Sequence, residues 1–581
     1  MRKFLLLLLL WGGSIQAQTI WVSGAVEDSI THRPLAGVTV SVMNDTAKVL
    51  TNAFGLFKLG IPATVAKLLL TREGYHPLQI AVKNTDRLLI TLSPIHKAPD
   101  AIALAKASAR VRQYSNPNYG NVGMGVNAFF NETYGTTYEN RFTRAKVRPV
   151  SVFAVDVDRA SYSNVRRFLR LKEPVPVDAV RIEEMVNYFH YDYPLPPEGK
   201  TMALYSRYAT CPWEPSHQLL QIAIRAKALQ TDSLPPSNLV FLIDVSGSMG
   251  TPNKLPLLQA AFRILVNNLR PADKVAIVTY SSEPGVKLPA TSGEEKEKIL
   301  NAIDNLSAGG ATAGEAAIKM AYQIAAEQFV PDGNNRVILA TDGDFNVGLT
   351  SDAEMEELIT QKKESGVLLT CLGFGMKNYK DSKLQALSSK GNGNFAYIDD
   401  LEEASKIFAR EFGSTLFTIA RDVQTEVTFN PAVVKSYRLV GYENKVFDVD
   451  TSVHERYGGG IVGSGHCAVA LYEIMPQEGA LPADSLLARV KISYRDPQDS
   501  VLQYIKTDIS TASSSFDVAS DDFRFAASVA LFGMILRNSA YRGCGDADMV
   551  MDIARKALGK DREGYRQEFL KLVKIVRKTK Y

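Results

Sequence analysis

Asn238-Leu-Val-Phe-Leu-Ile-Asp244-Val-Ser246-Gly-Ser248-Met249 is the stretch on which the reading of the chain turns. Leu239 to Ile243 run uninterrupted into Asp, Ser and Gly, the pattern of a strand buried on both faces that ends in a tight polar loop. Leu255, Leu258, Phe262, Leu265 and Leu269 then recur at helical spacing, so the loop joins a strand to a helix. It presents one carboxylate and two hydroxyls at alternate positions, an all-oxygen set of the kind hard cations prefer. In open α/β sheets sites form at the carboxyl ends of strands, and the stretch is therefore a candidate metal site.

Two later stretches extend it. Thr312 lies in Gly309-Gly-Ala-Thr-Ala-Gly314, directly before a helical pattern, and Asp342 lies in Thr341-Asp-Gly343, directly after the apolar run Val337 to Ala340. A lone Asp-x-Ser-x-Ser is common, and its pieces also serve as helix caps and turns. Three pieces in this order, each at a strand-to-helix junction, are much harder to explain that way. Together they resemble the metal-ion-dependent adhesion site of von Willebrand factor type A domains. The resemblance implies that Asp244, Ser246, Ser248, Thr312 and Asp342 surround one divalent ion, Mg²⁺ or else Mn²⁺ or Ca²⁺. The serines and the threonine would hold it directly or through water. Neutral hydroxyls leave such an ion under-neutralised, so a carboxylate from a partner protein can complete its shell.

Around this stretch, residues 237–416 alternate strands and helices in the order of a doubly wound sheet. Val275–Tyr280, Val367–Leu372 and Phe395–Ile398 supply further strands, and Leu401–Phe412 a closing helix. Ser292 with Glu295, and Ser351 with Glu354, are expected to cap two helices. Gly373-Phe-Gly375-Met lacks the third glycine and the downstream acid of a dinucleotide loop, and no Gly-Lys-Ser/Thr phosphate loop is present.

The chain has 581 residues, enough for several domains. Lys and Arg total 66 against 62 Asp and Glu, a balance that supplies no case for a nucleic-acid partner. Its four cysteines, Cys211, Cys371, Cys467 and Cys544, form no Cys-x-x-Cys pair, which disfavours zinc. Residues 1–17, with Arg2-Lys3 before a short leucine-rich run, read as a secretory signal peptide and imply export to the periplasm, cell surface or medium. No later stretch reaches membrane-spanning length; Phe523 to Leu536 comes closest, contains Arg524, and reads as a buried helix.

Residues 18–95 alternate with period two between turns, as in Trp21–Val26 and Val38–Val42. Gly24, Pro34-Leu-Ala-Gly-Val-Thr-Val40, Asn52-Ala-Phe-Gly55 and Gly74-Tyr75 resemble the carboxypeptidase regulatory-like module, which implies a small β-sandwich and no peptidase. Residues 96–145, with a short helical stretch at Ala101–Ala109 and then a run rich in Asn, Gly and Tyr, read as a flexible linker.

Residues 146–236 form a flanking region. There Asp156-x-Asp158 is expected to cap the helix that follows and to pair with Arg166 or Arg167, and Val180–Phe189 to form an amphipathic helix. Residues 417–581 turn to strands and then helices, with the glycine-rich Gly458–His466 read as turns and His466 as a surface or packing residue. Cys211-Pro-Trp213, Val440-Gly-Tyr-Glu-Asn444 and Ala470-Leu-Tyr-Glu473 resemble the flanking regions of a bacterial family of secreted von Willebrand type A proteins.

Three function classes follow. The first is a metal-dependent binding protein of the cell envelope that grips a carboxylate-bearing protein partner. A hydrolase using the same ion to activate water is the second; Asp344 is the one extra carboxylate at hand and no His or Cys dyad accompanies the loops. In the third, a scaffold, the ion merely staples the loops. The resemblance and the missing catalytic set favour the first. Oligomeric state is not legible in the sequence.

Overall fold

A computed structural model of the chain describes residues 19–29, 35–43, 47–51, 55–62, 66–82, 87–95, 112–114, 132–135, 137–155, 158–229, 234–310, 314–343, 352–376, 379–411, 417–443, 446–447, 460–479, 484–497 and 501–579. It divides into two compact units, 1–125 and 126–581.

In the first unit two four-stranded sheets share one apolar core. One joins Leu56–Pro62, Thr19–Asp28, Arg87–Leu92 and Arg112–Tyr114, and the other Lys48–Leu50, Thr39–Val42, Ala66–Thr71 and Leu78–Val82. Val40 opposes Leu70 and Val42 opposes Leu68, so the apolar member of each alternating pair lands on the same face. These residues join Val22, Val26, Leu59 and Ile90 in one buried cluster. The helix expected at 101–109 lies outside the described residues.

The second unit is built around a six-stranded sheet with strands β1 (Ser237–Asp244), β2 (Lys274–Tyr280), β3 (Pro284–Ser292), β4 (Asn334–Thr341), β5 (Leu368–Phe374) and β6 (Phe395–Ile398). Their spatial order is β3-β2-β1-β4-β5-β6, and every pairing is parallel except β2 with β3. All eight residues of β1 are buried. Phe241 and Ile243 pack into one cluster with Leu258, Phe262 and Leu265 of helix α1 (Leu255–Asn267). Val240 and Leu242 pack into another with Ala317, Ile318 and Ala321 of α3 (Gly314–Glu327), α2 being Lys296–Asp304. Helices covering both faces explain the unbroken apolar run. The remaining helices are α4 (Asp352–Lys363), α5 (Asp381–Lys390) and α6 (Leu401–Ser405), the last capped by Asp400, which accepts from Glu403 N, and continued by one wide turn, Lys406–Arg410.

Two more sheets come from both sides of this domain. Val150–Ala154 pairs with Thr418–Phe429, which continues to Leu486–Arg495 and the edge strand Leu502–Ser510. Gln218–Ala226 lies between Met202–Thr210 and Cys467–Pro476, which pairs in turn with Val434–Val440. Phe153, Ile222, Val427, Tyr472 and Val490 lie in one core between these sheets. A second core packs helices Ala160–Arg170, Ile182–Asn187, Asp521–Leu536, Ala547–Lys556 and Tyr565–Thr579 together. The flanks on either side of the central domain are thus one folded body.

Several local expectations are corrected. Residues 132–135 and 137–145, expected within a flexible linker, are docked: Glu132 pairs with Arg167 at 2.7 Å and Thr143–Arg144 adds a strand to Val434–Val440. Ser292 ends β3, and α2 starts after Glu295 with no side-chain cap; the Ser292 hydroxyl instead accepts from Glu294 N at 3.2 Å and donates to Pro271 O at 2.9 Å. The Ser351–Glu354 box lies where side chains are outside the described residues. Asp156 is also outside them, and Asp158 accepts from Phe395 N at 2.9 Å and anchors β6 instead of capping a helix. Arg166 pairs with Asp399, and with Glu403 at 2.7 Å, so its partners are distant in sequence. Gly460–Gly463 is a strand paired with Thr418–Phe429. His466, read as a surface or packing residue, is half-buried, and burial lowers its pKa to about 3.

Candidate metal centre

In the order β3-β2-β1-β4-β5-β6 the chain leaves β1 toward β2 and leaves β4 toward β5, so the switch point lies between the carboxyl ends of β1 and β4. Asp244 ends β1 and Asp342 follows β4, the strand next to it, so one sheet edge carries both carboxylates. Asp244 and Asp342 are buried, as is Ser246, while Ser248 is exposed at the rim.

Hydrogen bonds fix each group. Ser246 N donates to Asp244 Oδ1 at 2.9 Å, and Thr341 Oγ1 donates to Asp244 Oδ2 at 2.9 Å. Ser246 Oγ and Ser248 Oγ lie 3.1 Å apart, and Ser248 Oγ donates to Asp342 Oδ2 at 2.8 Å. Ser246, Ser248 and Asp342 are therefore one connected chain of oxygens, with Asp244 held against it through the Ser246 amide. Burial raises the Asp244 pKa, opposed by the bonds from Ser246 and Thr341 and assisted by the charge of Asp342. Burial likewise pushes Tyr280, behind Asp244, well up.

Thr312 lies outside the described residues, as does Asp344. The stretch leading to Thr312 is in place: Gly309 N donates to Val245 O at 2.8 Å, and Gly247 N donates to Gly310 O at 3.1 Å. Gly310 has φ +80°, and a Cβ there would stand 2.8 Å from Ser282 Oγ, so glycine is what lets this loop lie against the turn after β2.

Lys254, missed in the sequence, also belongs to the centre. Its Nζ donates to Asp342 Oδ2 at 2.8 Å and to the Ser248 carbonyl at 3.1 Å. Nothing marks a single lysine before a helix as reaching back to a strand end. Thr341 was within reach of the sequence reading, being part of Thr341-Asp-Gly343, but its bond to Asp244 needs the β1–β4 pairing.

The donor set fits a small hard ion: hydroxyl and carboxylate oxygens, few of them charged. Among the described residues no three His, Cys, Asp or Glu side chains form a ligand group. The four cysteines are free thiols. No helix among the described residues is long and apolar enough to cross a membrane.

Comparison with known proteins agrees with this architecture. The family described as von Willebrand factor type A domain matches residues 238–410, one described as von Willebrand factor matches 128–221, and the C-terminal region of the uncharacterized protein YfbK matches 414–579. YfbK of Escherichia coli (strain K12) is 38% identical over 460 residues, covering 75% of this chain and 80% of its own. Inter-alpha-trypsin inhibitor heavy chain H4 of Bos taurus is 29% identical over 194 residues, 32% of this chain and 21% of its own. Among solved structures, a von Willebrand factor type A protein from Catenulispora acidiphila aligns with TM-score 0.39 at 16% identity, over 63% of this chain and 89% of its own.

Proposed function

The chain belongs to the family of YfbK, a family of von Willebrand type A domain proteins, and on that premise we propose that it is a metal-ion-dependent protein-binding module of the bacterial cell envelope. The ion, Mg²⁺ or else Mn²⁺ or Ca²⁺, is held by Ser246, Ser248 and Thr312 with Asp244 and Asp342 around it, and a carboxylate of the partner completes its shell. What carries the reading is the connected chain Ser246–Ser248–Asp342 at the switch point of the sheet, with Ser248 open to solvent. The Gly247–Gly310 bond supports the convergence of the Thr312 loop.

In the proposed organisation residues 1–17 direct export and 18–95 are a carboxypeptidase regulatory-like β-sandwich, a reading supported by two sheets around one core. Residues 146–236 and 417–581 frame the type A domain, 237–416. The bound ion supplies a Lewis-acidic anchor for an acidic group; the chain's own residues orient it, and no catalytic role is assigned.

The test is titration calorimetry of the full chain with MgCl₂ and MnCl₂, followed by pull-down from envelope extract with and without EDTA. Binding lost in Ser246→Ala with Asp342→Ala, and a partner released by EDTA, are expected. Undiminished binding in that double variant would remove the site, and a partner held equally in EDTA would leave a scaffold.

A further inference from the structure

Lys254 enters α1 from the loop that carries Ser246 and Ser248, and its stem is clamped. Gly375, at φ +84°, leaves it room: a Cβ there would stand 2.4 Å from Lys254 Cε. The side chain is buried, with its Nζ on Asp342 Oδ2 and on the Ser248 carbonyl. It cannot swing to solvent without vacating that clamp and both bonds.

Its charge changes the electrostatics of the centre. Asp244 and Asp342 contribute −2 and Lys254 +1, so the three groups together carry −1. A divalent ion brings the sum to +1, whereas without Lys254 it would be zero. Two consequences follow from Coulomb's law at short range in a partly desolvated site. The ion meets a like charge fixed 2.8 Å from one of its carboxylates, which weakens its binding. With the ion, these three groups sum to +1, which favours an anionic over a neutral partner group.

We propose that Lys254 is a resident cation of the metal centre that holds metal affinity down and reserves the loaded site for an acidic ligand; this rests on the metal-site reading above. The competing view, that Lys254 only orients Asp342, predicts the opposite sign: removing it would loosen Asp342 and weaken the ion's binding.

The experiment titrates full-length wild type, Lys254→Gln and Lys254→Met with MgCl₂ and MnCl₂ by calorimetry, and melts each protein in EDTA and in saturating MgCl₂. Both neutral variants are expected to bind Mg²⁺ about tenfold or more tightly than wild type. They should also melt lower than wild type in EDTA, where Asp342 has lost the bond from the Lys254 ammonium, and gain more from Mg²⁺. Unchanged or weaker metal binding in the variants, with wild type binding, overturns the role of Lys254 and leaves the site intact. Wild type that binds no ion at millimolar concentration removes the site itself. Met preserves the apolar stem against Gly375, so a folding defect in Gln alone leaves the comparison readable.

Discussion

Thr341 Oγ1 donates to Asp244 Oδ2 at 2.9 Å while accepting from Gly343 N at 3.1 Å, so one hydroxyl links the ends of two adjacent strands and the turn beyond them. Gly343 has φ +85°, and a Cβ there would stand 2.7 Å from Lys380 N, which makes the turn specific to glycine. Thr341→Val keeps the shape and removes the link. It leaves a buried carboxylate oxygen and an amide short of a partner, a cost of about 1–3 kcal/mol. Urea denaturation should show that loss, and Mg²⁺ titration a weaker site, because one of the bonds that orient Asp244 is then gone.

Arg181 Nη1 lies 2.6 Å from Asp381 Oδ1, and the same guanidinium pairs with Glu184, all three groups buried. The contact ties the flanking helix Ile182–Asn187 to α5 of the central domain. Burial raises the Asp381 pKa and the Arg181 charge opposes it. Arg181→Met should cost about 3–5 kcal/mol, since an unpaired carboxylate is left inside. Thermal melts checks this; a change within experimental error would mean that water replaces the guanidinium.

Burial, with Glu443 and Glu184 adding repulsion, raises the Glu183 pKa to about 7 from 4.5. The folded state therefore binds the extra proton between those two values and the unfolded state does not. Its contribution is full below pH 4.5 and is lost as pH rises through 7. Glu183→Gln keeps an acceptor for Tyr442 N, 2.8 Å away, and cannot ionise. Its stability relative to wild type should rise between pH 5 and pH 8 in paired urea titrations; a constant difference would show that Glu183 stays ionised.

Strand pairing across the central domain makes a prediction about truncation. Val150–Ala154 and Gln218–Ala226 take partners from Thr418–Phe429 and Cys467–Pro476. A chain ending at residue 416 exposes two strand edges and the apolar faces they cover. It should lack a cooperative melt and aggregate, whereas the full chain melts cooperatively. A soluble, cooperatively melting truncate would show that the flanks fold separately.

Local pattern determined the central domain. The run Leu239–Ile243 is apolar throughout because neighbours cover both faces, and a strand followed by a helix places its polar loop at the carboxyl edge wherever the strand sits. Hence Asp244, Ser246 and Ser248 stood out as one polar loop from pattern alone, while Thr312 and Asp342 joined them through the resemblance to type A domains. Strand β3 was not among the expected strands; Pro284 and Pro289 break the strand pattern and are tolerated because β3 is an edge. Only the tertiary structure decided that the two flanks are one body and that Lys254 sits on Asp342. Val150 opposes Thr428, and Gln218 opposes Ile474, across an entire inserted domain. Periodicity tells which face of a strand is buried but carries no address for its partner, and a lysine's reach depends on where two distant loops are brought together.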